Sequence, residues 1–280
     1  HDQMELFRRK VMFDLVDAYF TTNADLLAIY SDCPLIPRPH GVIHDWIDLI
    51  PPSQARSRDR TGVVKLHWSG NSRWGENAGY LDYKGLNRII KPAVRAVRKR
   101  FPNVQFICHD SSERRVDHTV IMNSMQEADI VLIASRKEGT PLTLIEAMAN
   151  ACAVVSSRVG IAPEILPQEQ HDFFCDHSAT AFQEKLEQLI ADRAMIAKLS
   201  ELNQRAWRAH FDNDGPLKDA WIGFIEHALA RHEERCSARK LALLPDRDAL
   251  ARKLTVNTLR LGARVASQLG LVETLNRTTP

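Results

Sequence analysis

Two glutamates eight positions apart, Glu138 and Glu146, frame the stretch of this 280-residue sequence where chemistry is easiest to see. Between them runs Gly139-Thr-Pro-Leu-Thr-Leu-Ile145. Thr140 stands where a helix N-cap belongs, and Pro141 takes the first helical position, where its missing N–H costs nothing. First-turn N–H groups lack partners and carry the positive end of the helix dipole, so loop and helix start together make an anion site. Glu146, five residues past Pro141, would lie roughly 7–8 Å farther along at about 1.5 Å per residue. Carboxylates accept hydrogen bonds and need donors, so the groups on either side of the anion should be rich in hydroxyls. A diphosphate with such a group at each end, as in a nucleotide-sugar, has that layout. Taken singly, Glu138 could be a surface loop residue and Glu146 a helix-dipole partner worth about a few tenths of a kcal/mol. But Leu142, Leu144, Ile145, Ala147, Met148 and Ala149 make the helix apolar nearly all round. Glu146 is therefore expected to be partly buried and to need a partner.

The elements that must position these residues follow from hydrophobic spacing. Asp129-Ile-Val-Leu-Ile-Ala134 is a continuous apolar run suited to a strand buried on both faces, and Ser135 to Gly139 is a polar turn. Val63–Trp68, Val104–His109 and Ala153–Ser157 are further strand candidates. Leu86, Ile89, Ile90, Ala93, Val94 and Val97 recur at helical spacing up to Phe101-Pro102, and a short helix is expected around Ile121–Ala128. Gly160 turns into another short helix. Alternation of this kind predicts an α/β fold with a parallel sheet and right-handed crossovers. Ligands bind such sheets at the carboxyl ends of the strands. The loop from Ser69 to Gly85, with four glycines, and the loop from Ser135 to Pro141 both fall there. Beyond Phe174 the pattern turns helical, through Phe182, Leu186, Leu189 and Ile190, then Ile196, Leu199, Leu202 and Ala206, then Ala220 to His227. At the front, residues 5–19 read as a helix running into a short strand, Tyr19–Thr22. Asn23 can cap a helix from Ala24 to Tyr30, and Cys33 to Val42 is a proline-broken extended segment.

The run ADIVLIASRKEGTPLTLIEAMA, followed by VVSSRVGIAPEIL, resembles the nucleotide-binding half of retaining GT-B glycosyltransferases, the glycosyl transferases group 1. The resemblance covers roughly residues 15–230. It implies a Rossmann-like parallel sheet with helices on both faces over residues 63–235, with residues 1–50 as the remnant of the N-terminal domain and its crossover. Residues 51–62 would be a linker and 236–280 a basic amphipathic helical tail. By the same resemblance, Glu138 would orient and polarise the donor sugar and Glu146 would hold the ribose. The amides from Gly139 through Thr140 and Pro141 to Leu142 would stabilise the departing diphosphate with Lys84 and Arg73, a role that fixed cations and helix N–H groups suit. Gly70 and Asn71, at the start of the glycine-rich loop, join the substrate-binding positions. The implied reaction is transfer of a sugar from a nucleotide-sugar to a saccharide or lipid-linked acceptor, with retention, without a bound metal or other cofactor. The family likeness also points to cytoplasmic synthesis of bacterial surface polysaccharide or glycolipid. Two positions depart from the family's pattern. Ala151 stands where a left-handed glycine cap is usual, implying a different helix ending or strain, and Ala153 stands where proline is usual.

Composition narrows the field. A net charge of +2 gives no reason to expect a nucleic-acid partner. Five scattered cysteines (Cys33, Cys108, Cys152, Cys175 and Cys236) read as reduced core thiols, without metal-ligand spacing. Asp212-Asn-Asp214 and Asp246-Arg-Asp248 are Asp-x-Asp triplets, but neither follows a strand, so turn or cap duty is expected rather than metal binding. His171 and His177 lack partners at metal-binding spacing. The basic residues Lys91, Arg95, Arg98, Lys99 and Arg100, with the cationic stretch from Arg239 to Arg264, fit either a solvated helix face or peripheral contact with an anionic membrane on its inner side. A first residue that is His rather than Met reads as a fragment or a processed chain. Two other classes stay open at this point: a nucleotide-sugar-binding module without transfer activity, and a GT-B-fold epimerase or phosphorylase.

Overall fold

The computed structural model describes residues 12–13, 15–45, 62–211 and 215–239. The chain divides into two compact units, Asp45–Asp212 and His1–His44 with Asn213–Pro280. Helix 5–19, the linker, both Asp-x-Asp triplets and the tail beyond residue 239 lie outside the described residues, either wholly or at the positions that matter.

The larger unit holds a five-stranded parallel sheet in the order β2-β1-β3-β4-β5. Its strands are β1 (Val64–Gly70), β2 (Val104–Asp110), β3 (Ile130–Ile133), β4 (Ala153–Ser157) and β5 (Phe174–Cys175). Register sets Leu66 beside Ile130 and Ile130 beside Ala153. The strand order reverses at β1, so the crossovers to β2 and to β3 leave in opposite directions and open a crevice at the carboxyl ends. Each strand sends alternate residues to opposite faces. Val64, Leu66, Trp68, Ile130, Leu132, Ala153 and Val155 share one core with Leu86, Ile90, Val94 and Val97 and with Phe182, Leu186 and Leu189. These last two groups come from the segment Leu86–Ile90, which is a π-turn, the α2 helix it runs into (Lys91–Arg100), and α6 (Ala179–Ala191).

The short helix expected from Ile121 begins earlier. Asp117 Oδ1 accepts the Thr119 N–H at 2.8 Å, and α3 spans His118–Glu127. The central helix α4 is Leu142–Ala149, α5 is Ala162–Ile165, and the long α7 is Arg193–Phe211. The basic residues of α2 lie on its outer side: Ala93, Val94 and Val97 point inward, while Arg95, Arg98, Lys99 and Arg100 are exposed and Arg100 pairs with Glu187. Cys33, Cys152 and Cys175 are buried as expected, but Cys108 and Cys236 are exposed. Cys108 sits on β2, an edge strand with a neighbour on one side only among the described residues.

In the smaller unit α1 spans Ala24–Ser31, and Asn23 caps it by accepting the Leu26 N–H at 2.8 Å. In place of the expected strand at Tyr19–Thr22 there is a single bridge, Thr21 to Val42. The C-terminal helix α8 (Pro216–Arg239) packs Trp221 and Phe224 against Phe20, each with ring centroids 5.0 Å apart, and Arg235 pairs with Asp17 at 3.2 Å. This helix thus groups with the N-terminal segment. None of the described helices is long and apolar enough to cross a membrane.

Candidate functional site

The loops after β1, β3 and β4 meet at the carboxyl end of the sheet, and two glycines let them approach. Gly85 has φ 69°, and a Cβ there would lie 2.4 Å from the Ala134 carbonyl oxygen at the end of β3. Gly160 has φ 54°, and a Cβ there would lie 2.3 Å from the Gly139 oxygen, whose carbonyl accepts the Ile161 N–H at 3.1 Å. Only glycine fits at either position without moving backbone. The first loop is seated from below by Asp110, whose Oδ1 accepts from the Ser72 N–H at 3.0 Å and from the Ser112 N–H and hydroxyl at 3.0 and 2.8 Å. Burial alone would raise its pKa. The hydrogen bonds from Ser72 and Ser112 outweigh that and hold the carboxyl below its usual range.

This docking brings Lys84 to Glu138. The two form an ion pair whose side chains are 26% and 15% exposed, and the Lys84 ammonium also lies 5.8 Å from the centre of the Trp74 ring. Glu146 is buried on α4, as its apolar helix required, and its partner is His118, with Nε2 to Oε1 at 2.8 Å. Glu146, His118, Leu142, Thr143, Gly70, Ser69, His109 and Arg114 line one cleft of about 200 Å³. It sits at the carboxyl ends of β1 and β2 and against the first turns of α4. Ligands bind such sheets in that place.

Several expected residues stand elsewhere. Thr140 is not the N-cap: α4 begins at Leu142 with Pro141 as the cap residue, whose side chain makes no cap bond. The Thr140 hydroxyl is buried without a hydrogen-bond partner among the described residues. Pro141 takes an extended ψ of 101°, one residue short of the helix, so the cap falls on a side chain that cannot accept. Arg73 is not drawn to Lys84 and Glu138. Its side chain is 69% exposed and its Nε donates to Glu76 at 2.8 Å, which raises its pKa. Asn71 turns its Oδ1 to the Arg73 N–H at 3.0 Å, while Gly70 reaches the cleft. His171 and His177 bond the carbonyls of Leu166 and Ala134.

Sequence reasoning missed His118, His109, Arg114 and Asp110. For His118 a signal existed, because Asp117 followed by Thr119 is a cap pattern that starts the helix three residues sooner and puts His118 in its first turn. Arg114 had none, since only the fold brings the loop after β2 beside the loop after β1.

The helix carrying Glu146 is held at its far end by buried amides. Gln204 donates to the Ala149 carbonyl at 3.2 Å, and Asn150 Nδ2 donates to the Glu146 carbonyl at 2.9 Å. Ala151 is left-handed, with φ 53°. Its N–H bonds the Met148 carbonyl at 3.1 Å, and the Cys152 N–H bonds that of Ala147 at 2.9 Å. That is the Schellman ending glycine usually serves, so the departure at Ala151 is absorbed as strain.

Residues 114–206 match the family of glycosyl transferases group 1. No curated protein matches the chain. Among solved structures, a variant of S. aureus TarM in complex with fondaparinux, alpha-GlcNAc-glycerol and UDP is similar at 14% identity, with a TM-score of 0.59 over 75% of this chain and 44% of that one. The pneumococcal O-GlcNAc transferase GtfA in complex with UDP and GlcNAc is 17% identical, with a TM-score of 0.55 over 79% of this chain and 47% of the other. A glycosyltransferase from Rickettsia africae is 15% identical, with a TM-score of 0.54 over 81% and 67%. This chain spans less than half the length of the first two. The fold read from the sequence is borne out: the sheet is parallel and Rossmann-like, and residues 114–206 carry the match to glycosyl transferases group 1.

Proposed function

With a glycosyl transferases group 1 segment at residues 114–206 as the premise, we propose that this chain binds a nucleotide-sugar and serves transfer of its sugar, with retention, to a saccharide or lipid-linked acceptor, the nucleoside diphosphate leaving. The observation that carries this reading is the placement of two carboxylates at either end of one helix start. Glu138 meets Lys84 before α4, Glu146 lines the cleft on its second turn, and the exposed Leu142 leaves the first turn open between them. A diphosphate held by the amides at that start would lay its ribose toward Glu146 and its sugar toward Glu138. Lys84 would neutralise the charge that develops on the leaving group. Arg114 lines the cleft and replaces Arg73 as the second cation of that set. The ribose hydroxyls would be shared between Glu146 and His118, which already hold one another.

On this reading the donor needs no metal, because lysine, arginine and helix amides supply the positive charge, and transfer should survive excess EDTA. The pathway proposed is synthesis of a bacterial surface polysaccharide or glycolipid on the cytoplasmic side. Calorimetry of the chain against UDP, GDP and ADP tests the binding half. Affinity for at least one, weakened by salt, is expected. No heat with any of the three would remove the donor site. A radiolabelled-sugar assay, with and without the remaining half of a GT-B fold supplied, tests transfer. The reading as a binding module without transfer draws on the turn of Arg73 toward Glu76, and it would prevail if UDP binds yet no labelled sugar moves in either arm.

A further inference from the structure

The smaller unit has a cavity of its own. It measures about 230 Å³, and its lining includes Asp17, Tyr19, Arg38, His40, His227 and Arg231. All of them belong to that unit, and none lines the cleft at the carboxyl end of the sheet. Two supports gather the cations. Pro39 keeps Arg38 in the extended region, where positions two apart face the same side, so Arg38 and His40 stand together. The His40 N–H donates to the Tyr19 carbonyl at 2.7 Å, and the Tyr19 hydroxyl bonds the Pro37 carbonyl, which ties this segment down. On α8, His227 and Arg231 are four residues apart and share one helix face. The His40 and His227 rings meet with centroids 4.4 Å apart.

The positive charge collected there is not cancelled locally. Asp17 is the carboxylate of the lining, and it is already engaged: His232 Nδ1 lies 3.0 Å from one oxygen and Arg235 Nη1 3.2 Å from the other. Arg231 reaches Glu234 at 3.4 Å, a pair exposed on both sides. Arg38 has no ion-pair partner among the described residues. Partial burial first, and His227 second, push the His40 pKa below its ordinary 6.5, so the ring resists a proton as matters stand. An anion in the cavity would reverse that. A phosphate fits best, because its oxygens accept several hydrogen bonds at once and meet guanidinium groups in a bidentate fork. The cavity is smaller than the roughly 300–1,000 Å³ usual for drug-sized ligands, so the group that carries the phosphate is small. We propose that this cavity binds a phosphate monoester, with Arg38 and Arg231 on the phosphate oxygens and His40 donating beside them. Tyr19, whose hydroxyl is taken by Pro37, forms a wall, and Asp17 anchors α8 through Arg235. A free phosphate ester and the headgroup of a phospholipid share this chemistry.

The test follows the imidazole C–H signals of His40 and His227 in the whole chain, assigned by their loss in His40→Gln and His227→Gln. Glycerol 3-phosphate is titrated at neutral pH and constant ionic strength, with chloride as the control. It should shift both signals, that of His40 toward the imidazolium position, since a bound dianion favours the charged ring. Arg38→Ala and Arg231→Ala should each weaken the binding about tenfold, the scale for losing one charge-assisted contact. Both side chains are exposed, so the variants should fold, and an unchanged unfolding midpoint would show it. Lys84→Ala, which removes a cation of the proposed donor site, should leave the His40 shift as it is. Phosphatidylcholine vesicles with and without phosphatidic acid separate the two sources. Sedimentation with the phosphatidic acid vesicles, lost in Arg38→Ala, would assign a headgroup, and shifts with glycerol 3-phosphate alone would assign a free ester. Shifts no larger than those in chloride, or an affinity unchanged in either arginine variant, would overturn the proposal.

Discussion

Lys84 and Glu138 come from loops 54 positions apart and close an ion pair at the carboxyl end of the sheet. Each belongs to a different βα crossover, so their meeting reports that the two loops are docked. Gly85, one residue past Lys84, makes the docking possible by lying against the backbone of Ala134. The pair also sets the electrostatics of the proposed donor site. A diphosphate that takes the ammonium must draw it from the carboxylate, which frees Glu138 to accept from a sugar hydroxyl.

Lys84→Ala should lower the affinity for a nucleoside diphosphate about tenfold and flatten its dependence on salt, because a partly exposed charge pair is screened as ionic strength rises. Calorimetry against UDP at low and high salt measures both. An unchanged salt slope would leave Lys84 as a structural partner of Glu138 only.

Where the proposed sugar transfer is measured, Glu138→Gln should reduce kcat about 100-fold, the usual scale for losing one charged group placed at a developing charge. Glu146→Ala should act mainly on the KM for the donor, and His118→Ala should follow it in the same direction. Near-normal turnover in Glu138→Gln would refute its assigned role.

Gly160→Ala should destabilise the larger unit by about 2–3 kcal/mol, combining an unfavourable left-handed alanine with overlap on the Gly139 carbonyl. The same variant should bind UDP poorly even at temperatures where it remains folded, because Gly139 opens the diphosphate loop. Thermal unfolding and calorimetry separate the two effects.

Ala151→Gly should do the opposite and stabilise by about 0.5–1 kcal/mol, since glycine meets the left-handed φ of 53° without a Cβ penalty. Losing a buried methyl offsets part of the gain. Chemical denaturation with an unchanged m-value would register the difference, and a lower midpoint would show that Ala151 carries no strain.

His67 supplies a pH dependence. Burial first, and the neighbouring His109 second, push its pKa down from 6.5 to about 4. The native imidazole therefore stays neutral where the unfolded one takes up a proton. Its contribution is fully present above pH 6.5 and is lost as the pH falls toward 4, by about 3 kcal/mol in all. Denaturation at intervals between pH 7 and pH 4 should show that slope, about 1 kcal/mol per pH unit, and His67→Gln should flatten it. An equal slope in both proteins would assign the acid sensitivity to other groups.

Much of the fold was legible because its signals are local. Ile130 to Ile133 is apolar throughout, and a strand of that kind must be covered on both faces, which requires helices above and below and hence the parallel sheet. Glu146 was expected to be buried for a similar reason, since the apolar residues around it on α4 leave no exposed face to put it on. Element ends were less legible. Pro141 falls just outside α4, and α3 starts three residues before Ile121, because those ends turn on single caps and backbone torsions rather than on periodicity.

The sequence by itself determined strands β1 to β4, the helix that carries Glu146 and the acidic pair eight residues apart, since each depends on residues close along the chain; the two-residue β5 was not legible. Tertiary structure alone decided who partners whom. It set Lys84 on Glu138, His118 on Glu146 and Arg114 in the cleft where Arg73 was expected, and it lined up Trp74, Tyr83 and Tyr80 beside them. Those meetings depend on strand order. With β1 between β2 and β3, loops far apart in sequence leave the same end of the sheet side by side, and no periodicity along the chain encodes which neighbour a strand will take.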